Sequence, residues 1–105
     1  MKHIIEHQLG VEKARTVLES ALTSYKEKFA KYNPSASWTS PTRAKIGFSI
    51  KGVGIDGTLD VLERQIELDL DVPFLLRPFR GKAIEVIERE VKKWIAKAEA
   101  GGGAA

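Results

Sequence analysis

Residues 43–72 alternate between apolar and polar side chains, and this alternation constrains the fold more than any other feature of the chain. Successive side chains of a β-strand point to opposite faces, so a period of two predicts strands with one buried face. Two short interruptions, Lys51-Gly52-Val53-Gly54 and Leu62-Glu63-Arg64, divide the stretch into three strands joined by hairpins. The apolar positions of the three strands are Ala44, Ile46, Phe48 and Ile50, then Val53, Ile55, Leu59 and Val61, then Ile66, Leu68, Leu70 and Val72. We therefore predict an antiparallel sheet with one apolar face and one wet face.

Two further strands are predicted before this stretch. Residues 2–9 alternate in the same way, with His3, Ile5, His7 and Leu9 on one face. Residues 35–41 are polar around Trp38 and end in a proline, which suits an edge strand.

Two amphipathic helices are predicted at residues 11–32 and 78–98, where apolar side chains recur at steps of three and four. Gly10 can serve as a modest N-cap of the first helix, and Asn33-Pro34 ends it because the residue before a proline is pushed out of the helical region. Pro78 suits the first position of the second helix. The two apolar stripes are Ala14, Val17, Leu18, Ala21, Leu22, Tyr25, Phe29 and Tyr32, and Phe79, Ala83, Ile87, Val91, Trp94, Ile95 and Ala98.

The predicted element order is β-α-β-β-β-β-α, which is an α+β fold. Each helix has one apolar stripe and the sheet has one apolar face, so both helices should pack on the same side of an antiparallel sheet. Residues 1–100 then form a single domain, and residues 101–105 form a disordered Gly/Ala tail. A long C-terminal helix across such a sheet is similar to a reduced helix-grip, or START-like, architecture, in which a ligand pocket is possible.

Composition narrows the function classes. The chain of 105 residues fits one domain, and its 17 basic against 14 acidic residues give a net charge of +3 without the basic runs of a nucleic-acid arm. We therefore expect no nucleic-acid partner. The lack of cysteine excludes disulfides and thiolate chemistry and fits the cytoplasm. No signal pattern opens the chain and no segment approaches the ~18 apolar residues of a membrane span, so we expect neither export nor integral membrane association.

Residues that could carry chemistry are few, and each has a structural explanation. His3 and His7 lie four residues apart in a predicted strand, a separation of roughly 13 Å at about 3.3 Å per residue, which is too far for one metal ion. Asp56 and Asp60 face the wet side beside basic residues, which makes them salt-bridge partners rather than an acid–base pair. The glycines at 52, 54 and 57 lie in a hairpin and do not precede a helix, as a phosphate loop would require. We expect no metal, no cofactor and no catalytic site.

The connection between the last predicted strand and the second helix is unusually apolar, because most connections lie on the surface and are polar. Its apolar members are Phe74, Leu75, Leu76 and Phe79, and its basic members are Arg77, Arg80 and Lys82. These apolar side chains must belong to the core, to the wall of a ligand site or to a docking surface. The residues alone leave these alternatives open.

Four segments are distinctive in their order and spacing. They are His7-x-Leu9, Val11-Glu12-Lys13-Ala14-Arg15, Gly52-Val53-x-Ile55-x-Gly57 and, most specifically, Leu75-Leu76-Arg77-Pro78-Phe79-Arg80-Gly81. Together they resemble the polyhydroxyalkanoic acid system protein family over nearly the whole chain apart from its glycine-rich end. The resemblance implies a small bacterial protein associated with polyhydroxyalkanoate synthesis and storage granules, and it implies no enzymatic activity.

The function expected from this resemblance is that of a non-catalytic accessory protein which binds the polyhydroxyalkanoate granule or a granule-associated protein. The candidate contact residues are Phe74, Leu75, Leu76, Arg77, Phe79, Arg80 and Lys82. The alternative is a small hydrophobic-ligand-binding domain of helix-grip type. Homodimer formation through a sheet edge or through Trp38 is a further open alternative, because an edge strand leaves backbone groups unpaired.

Overall fold

The computed structural model describes residues 2–100 and shows five antiparallel strands and two long helices. The strands are β1 (Lys2–Glu6), β2 (Ser35–Ser40), β3 (Arg43–Ile50), β4 (Val53–Val61) and β5 (Gln65–Asp71). The helices are α1 (Gly10–Lys28) and α2 (Arg80–Ala100), and short 3-10 helices span Ala30–Tyr32 and Phe74–Phe79. The predicted α+β fold and its element order are confirmed. The predicted tail at residues 101–105 lies outside the described residues.

The sheet has the strand order β1-β5-β4-β3-β2, and its register places the apolar positions of all five strands on one face. In the centre of that face, Leu59 lies between Ala44 on β3 and Leu68 on β5. The two helices contact each other, and each also contacts the sheet. Both helices therefore cover the apolar face, as predicted, and β1 and β2 form the two edges.

The hairpin between β3 and β4 has a two-residue turn formed by Lys51 and Gly52. Both residues have positive φ, 54° and 80°, as a type I′ turn requires, and glycine adopts this conformation without strain. The β4–β5 connection is the predicted three-residue loop from Leu62 to Arg64.

The first helix ends earlier than predicted. α1 stops at Lys28, Phe29 leaves the helical region with φ of −111°, and a 3-10 turn continues to Tyr32. Asn33 then takes the left-handed conformation with φ of 53°, so Asn33-Pro34 ends the helical segment as a whole.

β1 is also shorter than predicted, because His7 redirects the chain. The His7 ring is buried and makes two hydrogen bonds: Nδ1 accepts from the Leu9 amide at 3.1 Å, and Nε2 lies 3.0 Å from the Leu62 carbonyl oxygen. The first bond leaves Nε2 as the donor, which fixes the tautomer. These contacts turn the chain out of the strand and into α1.

Pro78 does not begin the second helix, which corrects the prediction from sequence. It lies inside the 3-10 helix Phe74–Phe79, and α2 begins at Arg80. The 3-10 bonds, such as the Leu76 amide to the Pro73 carbonyl oxygen at 2.9 Å, run over three residues. Pro78 lacks an amide proton and can occupy this turn without disturbing the ladder of α2.

The core consists of one cluster of buried apolar residues from both helices and the sheet. The predicted members Val17, Leu18, Leu22, Leu59, Leu68, Leu70, Ile87 and Val91 are buried in it. Phe48 and Ile50 from the predicted apolar face of the sheet, and Trp94 from the second apolar stripe, are only half-buried and pack against the margin of this cluster. None of the described helices is long and apolar enough to cross a membrane.

The opposite face of the sheet is polar, and Asp60 pairs across strands as predicted. Arg43 on β3 lies opposite Asp60 on β4, with Nε and Nη2 donating to the two carboxylate oxygens at 2.6 and 3.2 Å. The same prediction for Asp56 is wrong, because Asp56 lies opposite Gly47 on β3 and Asp71 on β5 and makes no ion pair within residues 2–100.

At the β2 edge, the Arg15 guanidinium lies 4.2 Å from the ring centroid of Trp38. This side chain covers one face of the tryptophan that was considered for self-association.

Candidate functional site

One end of the molecule combines exposed apolar side chains with basic ones. It is formed by the Lys51-Gly52 turn, the end of α1 with its 3-10 turn, the 3-10 helix Phe74–Phe79 and the start of α2. Lys51 Nζ lies 5.7 Å from the ring centroid of Phe79, which joins the turn to the start of α2. We call this region the hairpin end.

The 3-10 helix turns its consecutive apolar residues in different directions. Phe74 and Leu75 are 78% and 76% exposed, whereas Leu76 is only 3% exposed and belongs to the core. A 3-10 helix has three residues per turn, so side chains three apart share a face. Leu76 accordingly shares the inward side with Phe79. Phe74 shares the outward side with Arg77, and the Arg77 guanidinium lies 5.6 Å from the ring centroid of Phe74. Two neighbouring leucines thus have opposite environments.

The basic residues of this segment lie on the surface beside the exposed pair. Arg77, Arg80 and Lys82 are all exposed. None of the ion pairs found within residues 2–100 involves these three side chains. Their positive charges are therefore available to an external group.

An apolar groove opens on the inner side of the hairpin end. Its volume is about 280 Å³, and it lies between the end of α1, the end of β3 and the first turns of α2. The lining residues are Tyr25, Phe29, Tyr32, Phe48, Ile50, Phe79, Lys82, Ala83, Val86 and Ile87. Tyr25, Ala83 and Ile87 are buried and form the floor, whereas Tyr32, Phe79 and Lys82 are exposed and form the rim.

The floor of the groove presents no free polar atom from its tyrosine. The Tyr25 hydroxyl donates a hydrogen bond of 2.8 Å to the carbonyl oxygen of Gly47. Burial of the ring raises the pKa of Tyr25 to about 12, so the side chain is uncharged at neutral pH.

Glu90 lies deeper between the helices, where its carboxylate links α2 to α1. Oε1 accepts from Lys28 Nζ and Oε2 accepts from Trp94 Nε1, both at 3.0 Å. Burial alone would raise the pKa of Glu90, but hydrogen bonds from Lys28, Trp94 and Ser24 outweigh it and hold the pKa below the ordinary value. Both oxygens are thus engaged in structural contacts.

The two histidines lie apart and make separate contacts. His7 is buried at the start of α1, as described above. His3 Nε2 lies 3.0 Å from Glu88 Oε1 on α2, and this contact and Lys92 lower the pKa of Glu88. Within the described part of the chain, no three His, Cys, Asp or Glu side chains are grouped as a metal site would require.

The hairpin end contains six of the seven candidate contact residues at its surface or rim. Five of them are exposed on the 3-10 helix or the first turn of α2, namely Phe74, Leu75, Arg77, Arg80 and Lys82, and Phe79 lies at the rim of the groove. Leu76 is the exception, because it closes the core beneath the segment. Sequence reasoning did not find the groove, although Tyr25, Phe29 and Tyr32 form an aromatic series at the end of the first apolar stripe that could have drawn attention to it.

A family model described as polyhydroxyalkanoic acid system protein matches residues 3–95 of the 105-residue chain. The matched part extends from β1 into α2 and includes the whole hairpin end. No curated protein and no solved structure matches the chain.

Proposed function

Since the chain belongs to the polyhydroxyalkanoic acid system protein family, we propose that it is a non-catalytic accessory protein of polyhydroxyalkanoate synthesis and storage in the bacterial cytoplasm. It binds the surface of the polymer granule through the hairpin end. The observation that carries this proposal is the exposure of Phe74 and Leu75 next to three exposed cations that make no ion pair within residues 2–100. Exposed apolar side chains that lie together, rimmed by polar ones, are typical of interaction sites.

The chemistry of a polyester surface complements this end of the protein. Alkyl parts of the polymer offer an apolar contact for Phe74 and Leu75, and burial of each side chain contributes roughly 1.5–3 kcal/mol. Ester carbonyl oxygens accept hydrogen bonds, and each guanidinium of Arg77 and Arg80 offers five N–H donors. Because Leu76 anchors the segment in the core, the exposed pair is held in place before binding, which reduces the entropy lost on association.

A non-catalytic role is supported by the use of the buried polar groups. The His7 ring, the Tyr25 hydroxyl and the Glu90 carboxylate each bridge two elements of the fold through hydrogen bonds. These polar groups stabilise the packing, and their hydrogen-bonding atoms are already engaged by other residues of the same chain.

The test is co-sedimentation of purified protein with polymer particles. We expect a Phe74→Ser, Leu75→Ser variant to bind at least about tenfold more weakly, because it loses two apolar contacts. Leu62→Ser is the matched control: Leu62 is also an exposed apolar residue, 40% exposed, but lies in the β4–β5 loop. Thermal melting of each variant establishes that the fold is kept. A double variant that sediments like the parent would exclude this pair as the granule contact.

Two kinds of particle separate the polymer from a granule-associated protein. Protein-free particles of purified polyhydroxyalkanoate test direct contact with the polyester, and isolated native granules carry their proteins as well. Binding to both kinds supports the proposal. Binding to native granules alone would show instead that the hairpin end recognises a granule-bound protein.

Self-association can be measured on the same samples. β1 and β2 are the sheet edges through which a homodimer could extend the sheet. Light scattering over a wide concentration range tests this, and a constant monomer mass would exclude a homodimer.

A further inference from the structure

The apolar groove at the hairpin end has the size and lining of a site for a small molecule. Its volume of about 280 Å³ is nearly twice that of an engineered apolar cavity of roughly 150 Å³ that holds benzene, so by the same scale it has room for roughly ten carbon atoms. Aromatic side chains form its walls and buried apolar residues form its floor. Such a lining, with few polar groups, is typical of pockets that take apolar ligands.

The charges at the rim are positive. Lys82 lines the groove, and Lys51 Nζ lies 5.7 Å from the ring centroid of Phe79, which is another lining residue. The Tyr25 hydroxyl in the floor is already bonded to Gly47 and is uncharged at neutral pH. The groove therefore combines an apolar interior with a cationic mouth, which is complementary to a molecule with an aliphatic chain and one anionic end.

We propose that the groove binds an aliphatic carboxylate of roughly ten carbon atoms, with its chain between α1, β3 and α2 and its carboxylate at Lys82 and Lys51. This inference goes beyond granule binding. Lys82 belongs to both surfaces, but the aliphatic chain of the ligand contacts the inner lining whereas the granule contacts the outward pair Phe74 and Leu75, so the ligand proposal does not depend on granule binding. The carboxylate stays at the open rim, where water continues to solvate it and no large desolvation cost arises.

A second copy of the chain is a poorer occupant of the groove. The protein has a net charge of +3, and insertion of one hairpin end into another would bring the basic residues of both copies together. Juxtaposition of like charges opposes association. A polymer granule cannot enter a groove of this volume either, although a free hydroxyalkanoic acid has the required chemistry.

The first test is calorimetric titration with hexanoate, octanoate, decanoate, dodecanoate and tetradecanoate, each below its micelle-forming concentration. Burial of each methylene should raise the affinity about three- to fourfold until the groove is full near ten carbons. Beyond that length the affinity should level off. A series without measurable binding at any length would overturn the proposal.

A groove-filling variant locates the binding site. Val86→Trp places a large side chain in the groove and should abolish decanoate binding. Ala96→Trp is the matched control, because Ala96 is an exposed residue of the same helix. In the parent protein, decanoate should shift the amide signals of Ile50 and Ala83, which keeps the test decisive if the filled variant does not fold. Unchanged signals at both positions would overturn the site.

Removal of the Lys82 charge tests whether the cationic rim of the groove binds the carboxylate of the ligand. Lys82→Gln should weaken octanoate binding by up to about fivefold, as expected for an exposed charge pair, and should leave octanol binding unchanged. Lys13→Gln serves as the control because Lys13 is an exposed lysine in the first turns of α1, at the opposite end of that helix. Equal weakening for octanoate and octanol would refute recognition of a carboxylate.

The two proposals can fail separately. Val86→Trp should lose decanoate and still sediment with granules, whereas the Phe74→Ser, Leu75→Ser variant should keep decanoate and lose the granules. If the parent protein instead dimerises and Val86→Trp makes it monomeric, the groove is a contact between copies and the ligand proposal is wrong.

Discussion

Truncation of Leu76 to alanine is expected to destabilise the protein strongly, whereas the same change at Leu75 should have little effect. Leu76 is 3% exposed and Leu75 is 76% exposed. Burial of a leucine side chain contributes roughly 1.5–3 kcal/mol, and the cavity left behind adds to the loss, so Leu76→Ala should cost about 2–5 kcal/mol. An exposed position without special contacts usually changes stability by less than about 0.5 kcal/mol. The neighbouring residues are therefore a matched pair in type and position.

Urea unfolding followed by circular dichroism measures both variants under the same conditions. For a domain of this size, about 4 °C of melting temperature is lost per kcal/mol, so Leu76→Ala should also lower the melting temperature by roughly 8–20 °C. The m-value should not change, because the surface exposed on unfolding stays nearly the same. A loss for Leu75→Ala that equals or exceeds the loss for Leu76→Ala would refute the orientation of the 3-10 helix.

Three further predictions concern buried groups. Gly57→Ala should lower the free energy of unfolding by about 1–3 kcal/mol, because the added Cβ would lie 2.9 Å from the Asp69 carbonyl oxygen. Chemical denaturation measures this loss, and an alanine variant as stable as the parent would contradict the prediction. Tyr25 should ionise with a midpoint at about pH 12, and its absorbance at 295 nm in a Tyr32→Phe background measures this. The free energy of unfolding should fall as the pH rises from about 10 towards that value, because the tyrosine of the unfolded state ionises first. The folded-state pKa of Glu90 is lowered, so the ionised carboxylate stabilises the fold above about pH 4.3, and this stabilisation is lost as the pH falls through the folded-state pKa. The Glu90→Gln variant should therefore lose less stability in acid than the parent. Identical profiles of stability against pH would count against a stabilising role of the Glu90 carboxylate.

The repeating patterns of the sequence determined most of the fold. Alternation across residues 43–72 identified which side of each strand is apolar, and the glycines of Lys51-Gly52-Val53-Gly54 identified where the chain reverses. Only the structure showed that the turn itself is formed by Lys51 and Gly52, both with positive φ. The helical stripes identified the faces that pack on the sheet. These features are local, since they depend on the geometry of single strands, helices and turns.

Element ends were less well predicted, because neighbouring contacts decide them. Nothing local to His7 indicates that its ring will bond to the distant Leu62 and end β1. Pro78 is compatible with the first turn of an α-helix and also with a 3-10 turn, and the burial of Leu76 selected the second.

The candidate site depended on tertiary structure to a greater degree. The sequence supplied the apolar and basic residues of the connecting segment, and the family resemblance supplied a setting for them. Only the 3-10 geometry separated Leu75 from Leu76, since three residues per turn direct adjacent side chains to different sides. The groove joins side chains from positions 25 to 87, where the ends of α1, β3 and α2 meet but do not close over one another. The apolar stripe of a helix shows which residues can be buried, but how far they are covered depends on atoms contributed by other elements, and that is decided only when the chain folds.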